Sequence, residues 1–202
     1  GVVSMPNGAG NPFQTRAMDK ADIRDARRWH RKAALRAKAA GFDIVYVYAT
    51  HDYLLSQFLS RTLNTRTDEY GGGIENRVRL IREIIEDTKE AVGDTMAVAV
   101  RFSAETNGGH GGDGEPIPGE TREMFEILGE LPDLWDINIG DYSLEMGLSR
   151  FSGEGSLEPY VSYIKSITSK PVVSVGRFTS PDTMVSQLKR GIVDLIGAAR
   201  PS

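Results

Sequence analysis

The sequence contains no cysteine and no long apolar run. Without cysteine these residues hold no disulfide framework, no thiolate zinc site and no cysteine-held iron–sulfur cluster. Spanning a bilayer takes about twenty consecutive apolar residues, so no transmembrane helix can be drawn. Aromatics make up only 8% of the chain. They are not interleaved with the basic residues, as the stacking platforms of single-strand nucleic-acid binders require. No metal site is expected. What is present, 40% hydrophobic and 26% charged residues, is ordinary for a globular chain and excludes disorder and collagen-like repeats. At 202 residues the chain is one domain or part of a larger one.

The net charge of −4 is unevenly placed, with nine basic and three acidic residues in positions 1–40 and the acidic excess beyond. The basic residues Arg24, Arg27, Arg28, Arg31, Lys32 and Arg36 alternate near helical spacing with Ile23, Ala26, Trp29, Ala33, Ala37 and Ala40. This spacing predicts a solvated face opposite a buried stripe rather than a nucleic-acid surface. The opening Gly1-Val2-Val3-Ser4 carries no targeting reading, and Pro6–Pro12 is rich in turn formers. Residues 1–18 are therefore expected to be loop and 19–202 to be βα units.

From Asp19 onward helices and strands alternate. A helix is expected from Asp19 to Ala40, stopped by Gly41, and a strand over Phe42–Tyr48. A long loop and a helix from Ile74 to Ala91 follow, then a strand over Met96–Phe102. A glycine-rich loop at 107–114, a helix over Gly119–Leu131 and a strand over Leu134–Ile139 come next. The rest reads as a helix at Leu157–Thr168, a strand at Pro171–Val175, a helix at 181–190 and a strand at Ile192–Ile196. Such alternation implies parallel strands with right-handed crossovers. The long loops all follow strands, which places the site at the C-terminal strand ends in either a barrel or a doubly wound sheet. Five strands are too few to close a (β/α)₈ barrel, which takes about 250 residues.

Tyr48 and His51, three residues apart, leave the first strand at that end. Arg101 ends the second strand, where a charge inside a barrel mouth is expensive without a partner. Val175-Gly176-Arg177 and Gly197-Ala198-Ala199-Arg200 follow the last two strands. Loops at this place in a barrel commonly hold phosphate, with glycine allowing close backbone approach and arginine supplying a charged fork.

The stretch His51-Asp52-Tyr53-Leu54-Leu55-Ser56-Gln57-Phe58-Leu59-Ser60 is followed by Asn64-Thr65-Arg66-Thr67-Asp68-Glu69-Tyr70-Gly71-Gly72-Gly73-Ile74-Glu75-Asn76-Arg77. Together they resemble the signature of the flavin-dependent old yellow enzyme superfamily. The resemblance runs from residue 19 to 202 and implies a TIM (β/α)₈ barrel, of which the chain covers roughly strands four to eight. Ser60-Arg61 stands where the family has Ser-Pro, and Gly73 where it has Ser.

Tyr48 followed by His51 resembles the amine dehydrogenase branch (trimethylamine, dimethylamine and histamine dehydrogenases), since ene-reductases carry His at the Tyr48 place. A phenol, ordinarily ionising near pH 10, suits an amine pocket better than one polarising an enone. The branch implies oxidation of a small amine by FMN, hydrolysis of the iminium, and electron exit through a [4Fe–4S] cluster to an electron-transferring flavoprotein. Cluster and flavin-linking cysteines would lie outside these residues.

The same resemblance puts Arg101 beside the flavin N1 and C2 carbonyl, with Gly176, Arg177, Gly197, Ala198 and Arg200 at the FMN phosphate. It gives the role of orienting His51 to a carboxylate after the third strand, Asp141 or Glu145. That loop is shorter than in the trimethylamine enzyme and has no Trp, which removes one wall of a cation cage and leaves secondary or primary amines. A cytoplasmic homo-oligomer is expected. The alternatives are an NAD(P)H-dependent ene or dienoyl reductase of the same superfamily, and a non-catalytic barrel fragment.

Overall fold

Asp19 starts the first helix as expected. Its carboxylate accepts from the N–H groups of Ala21 and Asp22, while Asp22 accepts from the Asp19 N–H. This reciprocal cap satisfies donors that a helix start otherwise leaves open. The helix, α1, runs Lys20–Ala39 and ends before Gly41, whose φ of +82° a β-carbon would disfavour. The structure is a computed structural model describing residues 1–2, 15–51, 53–104, 119–139 and 153–198.

Five strands follow: β1 (Ile44–Ala49), β2 (Ala97–Ser103), β3 (Leu134–Asn138), β4 (Val172–Ser174) and β5 (Leu195–Ile196). All pairs are parallel, and the spatial order is the chain order from β1 to β5. A doubly wound sheet reverses its order at a switch point, and among the described residues no reversal occurs. Parallel strands in sequential order, joined by crossovers of the usual right hand, carry the described helices on one face, the arrangement of a barrel wall.

Among the described residues the further helices are α2 (Leu54–Leu59), α3 (Ile74–Arg77), α4 (Arg79–Val92), α5 (Glu120–Leu128), α6 (Glu158–Val161) and α7 (Pro181–Lys189). Val47, Val98, Val100, Phe102, Trp135 and Ile137 point toward them and are wholly buried. Phe102, Phe125 and Trp135 meet edge to face with centroids 5.0–5.7 Å apart. Each such side chain contributes about 1.5–3 kcal/mol by leaving water. The opposite sheet face, the inside of the arc, leaves Ile44 and Tyr46 43% exposed and Leu195 49% exposed.

Several elements depart from the sequence reading. The loop expected after β1 contains α2, whose six residues are too few to show a helical period but bury Leu55, Phe58 and Leu59. The helix expected over 74–91 is broken at Val78 into α3 and α4. The helix expected over 157–168 is only α6 and a 3₁₀ turn at Ile164–Ser166, the Ser166 hydroxyl taking back the Tyr163 carbonyl at 2.6 Å. β5 begins at Leu195 rather than Ile192, because the Ile192 N–H still belongs to the end of α7, bonded to the Gln187 carbonyl.

The buried stripe of α1 is also rotated. Ile23 and Ala34 are buried, Trp29 is 61% exposed, and Arg27 turns inward to pair with Glu83 (3.0 Å) and Asp87 (2.7 Å) of α4. These carboxylates hold the Arg27 guanidinium well above its ordinary value.

Residues 64–77 form a knot between helices. The Asn64 amide donates to the carbonyls of Phe58 and Tyr70, both at 2.7 Å, and the Tyr70 hydroxyl donates to Glu83 at 2.9 Å. Arg77 is buried, donating to the Leu59 and Gly72 carbonyls and pairing with Glu120 of α5. At Gly71 a β-carbon would lie 2.2 Å from the Arg66 carbonyl oxygen, so only glycine fits.

Candidate active site at the strand ends

Strand register decides which side chains meet. Tyr48 stands opposite Arg101, Arg101 opposite Asp136, and Ser103 opposite Asn138. Residues opposite each other in a parallel pair share a face, so all of these project to the inside of the arc. Beyond Ala49 the chain turns sharply, with His51 at φ +53° in the left-handed region that non-glycine residues rarely occupy. The turn brings the imidazole back over the strand. His51 Nδ1 lies 2.7 Å from the Tyr48 hydroxyl, and its Nε2 lies 2.8 Å from the Asn138 amide nitrogen. The Tyr53 ring meets Tyr48 edge-on at 5.5 Å.

Beneath this pair is a polar layer that sequence reasoning missed. The Thr50 hydroxyl donates to Asn138 Oδ1 at 3.0 Å and lies 2.7 Å from the Ser103 hydroxyl, with Thr50 and Asn138 wholly buried. A two-residue period connects Ser103 with Arg101 and Asn138 with Asp136, and was the available signal. Arg101 Nη1 pairs with Asp136 at 2.8 Å, which supplies the partner that a cation at this depth requires. Burial pushes the Tyr46 hydroxyl, on the neighbouring inward position, above its ordinary ionisation range, and the Asp136 charge adds to this while Arg101 opposes it.

At the far end of the sheet the two expected phosphate loops leave neighbouring strands. Gly176 is buried at φ +145°, and the exposed Arg177 follows at φ +52°. A β-carbon on Gly176 would come within 3.3 Å of the Leu157 nitrogen. Gly197 closes β5 by donating to the Ser174 carbonyl at 2.8 Å; a β-carbon there would meet Val175 at 3.0 Å. Ala198 is exposed beside it. The Gly176–Arg177 turn, with close backbone approach and a cation beside it, offers what an anionic phosphate requires, so the residues present fit the phosphate of FMN. Arg200, Asp141 and Glu145 lie outside the described residues. The structure therefore joins Tyr48, His51 and Arg101 on one face and sets Gly176, Arg177, Gly197 and Ala198 at the adjoining strand ends.

A cleft of ≈540 Å³ opens along the outer edge of β1, lined by His30 of α1, Tyr46, Tyr48, Tyr53 and Leu54. Tyr48 thus has an open side as well as a hydrogen-bonded one. Among the described residues no group of His, Asp or Glu side chains is arranged to hold a metal ion, and no helix is long and apolar enough to cross a membrane.

The sequence profile of the NADH:flavin oxidoreductase / NADH oxidase family matches residues 3–202. Dimethylamine dehydrogenase of Hyphomicrobium sp. (strain x) is 40% identical over 189 residues, covering 91% of this chain and 25% of that protein. The structure of 6-hydroxypseudooxynicotine amine oxidase from Pseudomonas geniculata N1 superposes with a TM-score of 0.90 at 52% identity, over 100% of this chain and 30% of that one. Histamine dehydrogenase from Rhizobium sp. 4-9 gives a TM-score of 0.90 at 47% identity, over 99% of this chain and 29% of that one. The chain thus spans between a quarter and a third of these relatives' lengths. With the family pattern running through all but its first two residues, the chain belongs to the NADH:flavin oxidoreductase / NADH oxidase family, and its five strands are an arc of that family's barrel.

Proposed function

We propose that the chain is the substrate- and phosphate-binding arc of an FMN-dependent amine dehydrogenase acting on a small secondary or primary amine. The hydrogen-bonded Tyr48–His51 pair at the strand end carries this reading. FMN, when bound, supplies the acceptor for two electrons from the amine. The chain's own residues do the rest. An amine arrives protonated at neutral pH and must lose that proton before its C–H bond can be broken. The Tyr48 oxygen, held by His51, is placed to take and hold it. Arg101 brings positive charge to the same face, where it offsets negative charge gathered on reduction, and Asp136 limits how much of that charge is felt. Gly176, Arg177, Gly197, Ala198 and Arg200 would hold the phosphate.

The similarity to dimethylamine and histamine dehydrogenases and to an amine oxidase supports an amine substrate over an enone. In this reading a [4Fe–4S] cluster and an electron-transferring flavoprotein, neither held by these residues, would supply the route for electrons away from FMN, and the protein would be a cytoplasmic homo-oligomer. The test mixes the flavin-loaded protein anaerobically with dimethylamine, histamine or a 2-enone plus NADPH and follows flavin absorbance. Bleaching by an amine is expected, with Tyr48→Phe slowing it about 10²–10⁴-fold. Enone-dependent reoxidation after NADPH reduction, without bleaching by any amine, would overturn the reading in favour of an ene reductase.

A further inference from the structure

The four hydrogen bonds behind Tyr48 form one chain with a direction. The Thr50 hydroxyl spends its single hydrogen on Asn138 Oδ1, so toward Ser103 it can only accept. Asn138 Oδ1 is therefore committed to Thr50, and the amide group facing His51 is its NH₂, a donor with no accepting capacity. A ring nitrogen that receives a hydrogen bond carries no proton. His51 Nε2 thus accepts, and a neutral His51 keeps its proton on Nδ1, 2.7 Å from the Tyr48 oxygen.

We propose that Asn138, held by Thr50 and Ser103, is the positioning residue that fixes the His51 proton on Nδ1 and points it at the Tyr48 oxygen. In this arrangement His51 donates and Tyr48 accepts. The phenolate of Tyr48 gains a hydrogen bond that its neutral form does not need, and the hydrogen of the neutral phenol is turned away from His51. Tyr48 is then the proton acceptor for the substrate, and His51 supports it without itself taking the proton. A carboxylate at position 138 would impose the reverse order. It would accept from Nε2–H, leave Nδ1 without a proton, and make His51 the acceptor of the Tyr48 hydrogen. The burial of Thr50 and Asn138 keeps water from substituting for either bond.

The role assigned to Tyr48 rests on the amine dehydrogenase reading, whereas the position of the proton does not. The experiment records nitrogen spectra of the flavin-loaded full-length protein labelled with ¹⁵N-histidine. His51 is assigned by comparison with His51→Gln. A protonated Nδ1 and bare Nε2 are expected in the native protein. Asn138→Asp should exchange the two and displace the Tyr48 limb of the amine-reduction pH profile upward. Thr50→Val, which keeps shape but frees the amide to turn, should mix the two tautomers, and serves where the aspartate variant fails to fold. A native Nε2–H tautomer, or one unchanged in Thr50→Val, would overturn the proposal. An Nδ1–H tautomer in a protein that no amine reduces would leave it standing and sink the proposed function instead.

Discussion

At the residue scale, Arg101 and Asp136 lead to two predictions of opposite sign. Replacing Arg101 by Ala removes the positive member of the pair and leaves Asp136 as net negative charge on the inside of the arc, the face proposed to hold the flavin. The flavin potential should fall, a charge-assisted contact being worth about 1.5–3 kcal/mol. Asp136→Asn should raise it, since the Arg101 charge then acts undiluted. Redox titration of both variants is the check, and shifts of one sign would remove the pair from the site. His30 leads to a pH prediction. Burial holds its imidazole below the ordinary 6.5, against the smaller pull of the Tyr46 carbonyl and Asp87. The unfolded chain then binds a proton below pH 6.5 that the folded chain refuses, so stability is full above that value and declines as the pH drops through it. His30→Asn should flatten this acid-side loss in melting curves taken between about pH 5 and pH 7.

Tyr48 and His51 were legible in the sequence because they stand together at the end of one apolar run, and Arg101 because it interrupts the next. Asn138, Thr50 and Ser103 were not. Their meeting depends on the register of β1 against β2 and of β2 against β3, which is set across 53 to 88 positions of chain. Local pattern carries no information about that offset.

Among the elements, strands and long helices follow the sequence pattern, and short helices do not. α4 buries one face and polarises the other over several turns, which periodicity detects, whereas for α1 periodicity marks the extent and misplaces the buried face. α2 and α6 are held by tertiary contacts and by single hydroxyl groups, and propensity cannot foresee those. The knot at 64–77 has a measurable weight. Gly71→Ala forces a β-carbon against the Arg66 backbone, which cannot yield as a side-chain tip would. A loss of about 1–3 kcal/mol is expected. Urea unfolding should show it as a lower midpoint at unchanged slope, while Gly72→Ala, at φ +81° but with open space around it, should lose less.

On the scale of the molecule, the arc has two open flanks. β1 pairs only with β2, and β5 only with β4, among the described residues. The inside face also exposes Ile44, Tyr46 and Leu195. Strand edges beside apolar surface invite association. The 202-residue chain alone is therefore expected to self-associate and to bind FMN weakly, retaining affinity for inorganic phosphate at the β4 and β5 loops. Sedimentation and calorimetry test this; a monomer binding FMN tightly at one to one would show that five strands suffice.

The knot at 64–77 lies among helices, and the proton chain lies on the strands. A lineage can therefore exchange one without disturbing the other. Variation confined to the C-terminal ends of β1 and β3 and the turns beyond them would redirect the proposed site toward a different substrate while its most recognisable letters stayed fixed. Shared possession of that block attests common scaffolding and leaves diet unspecified, so the informative positions for sorting relatives by substrate are 48, 51 and 138.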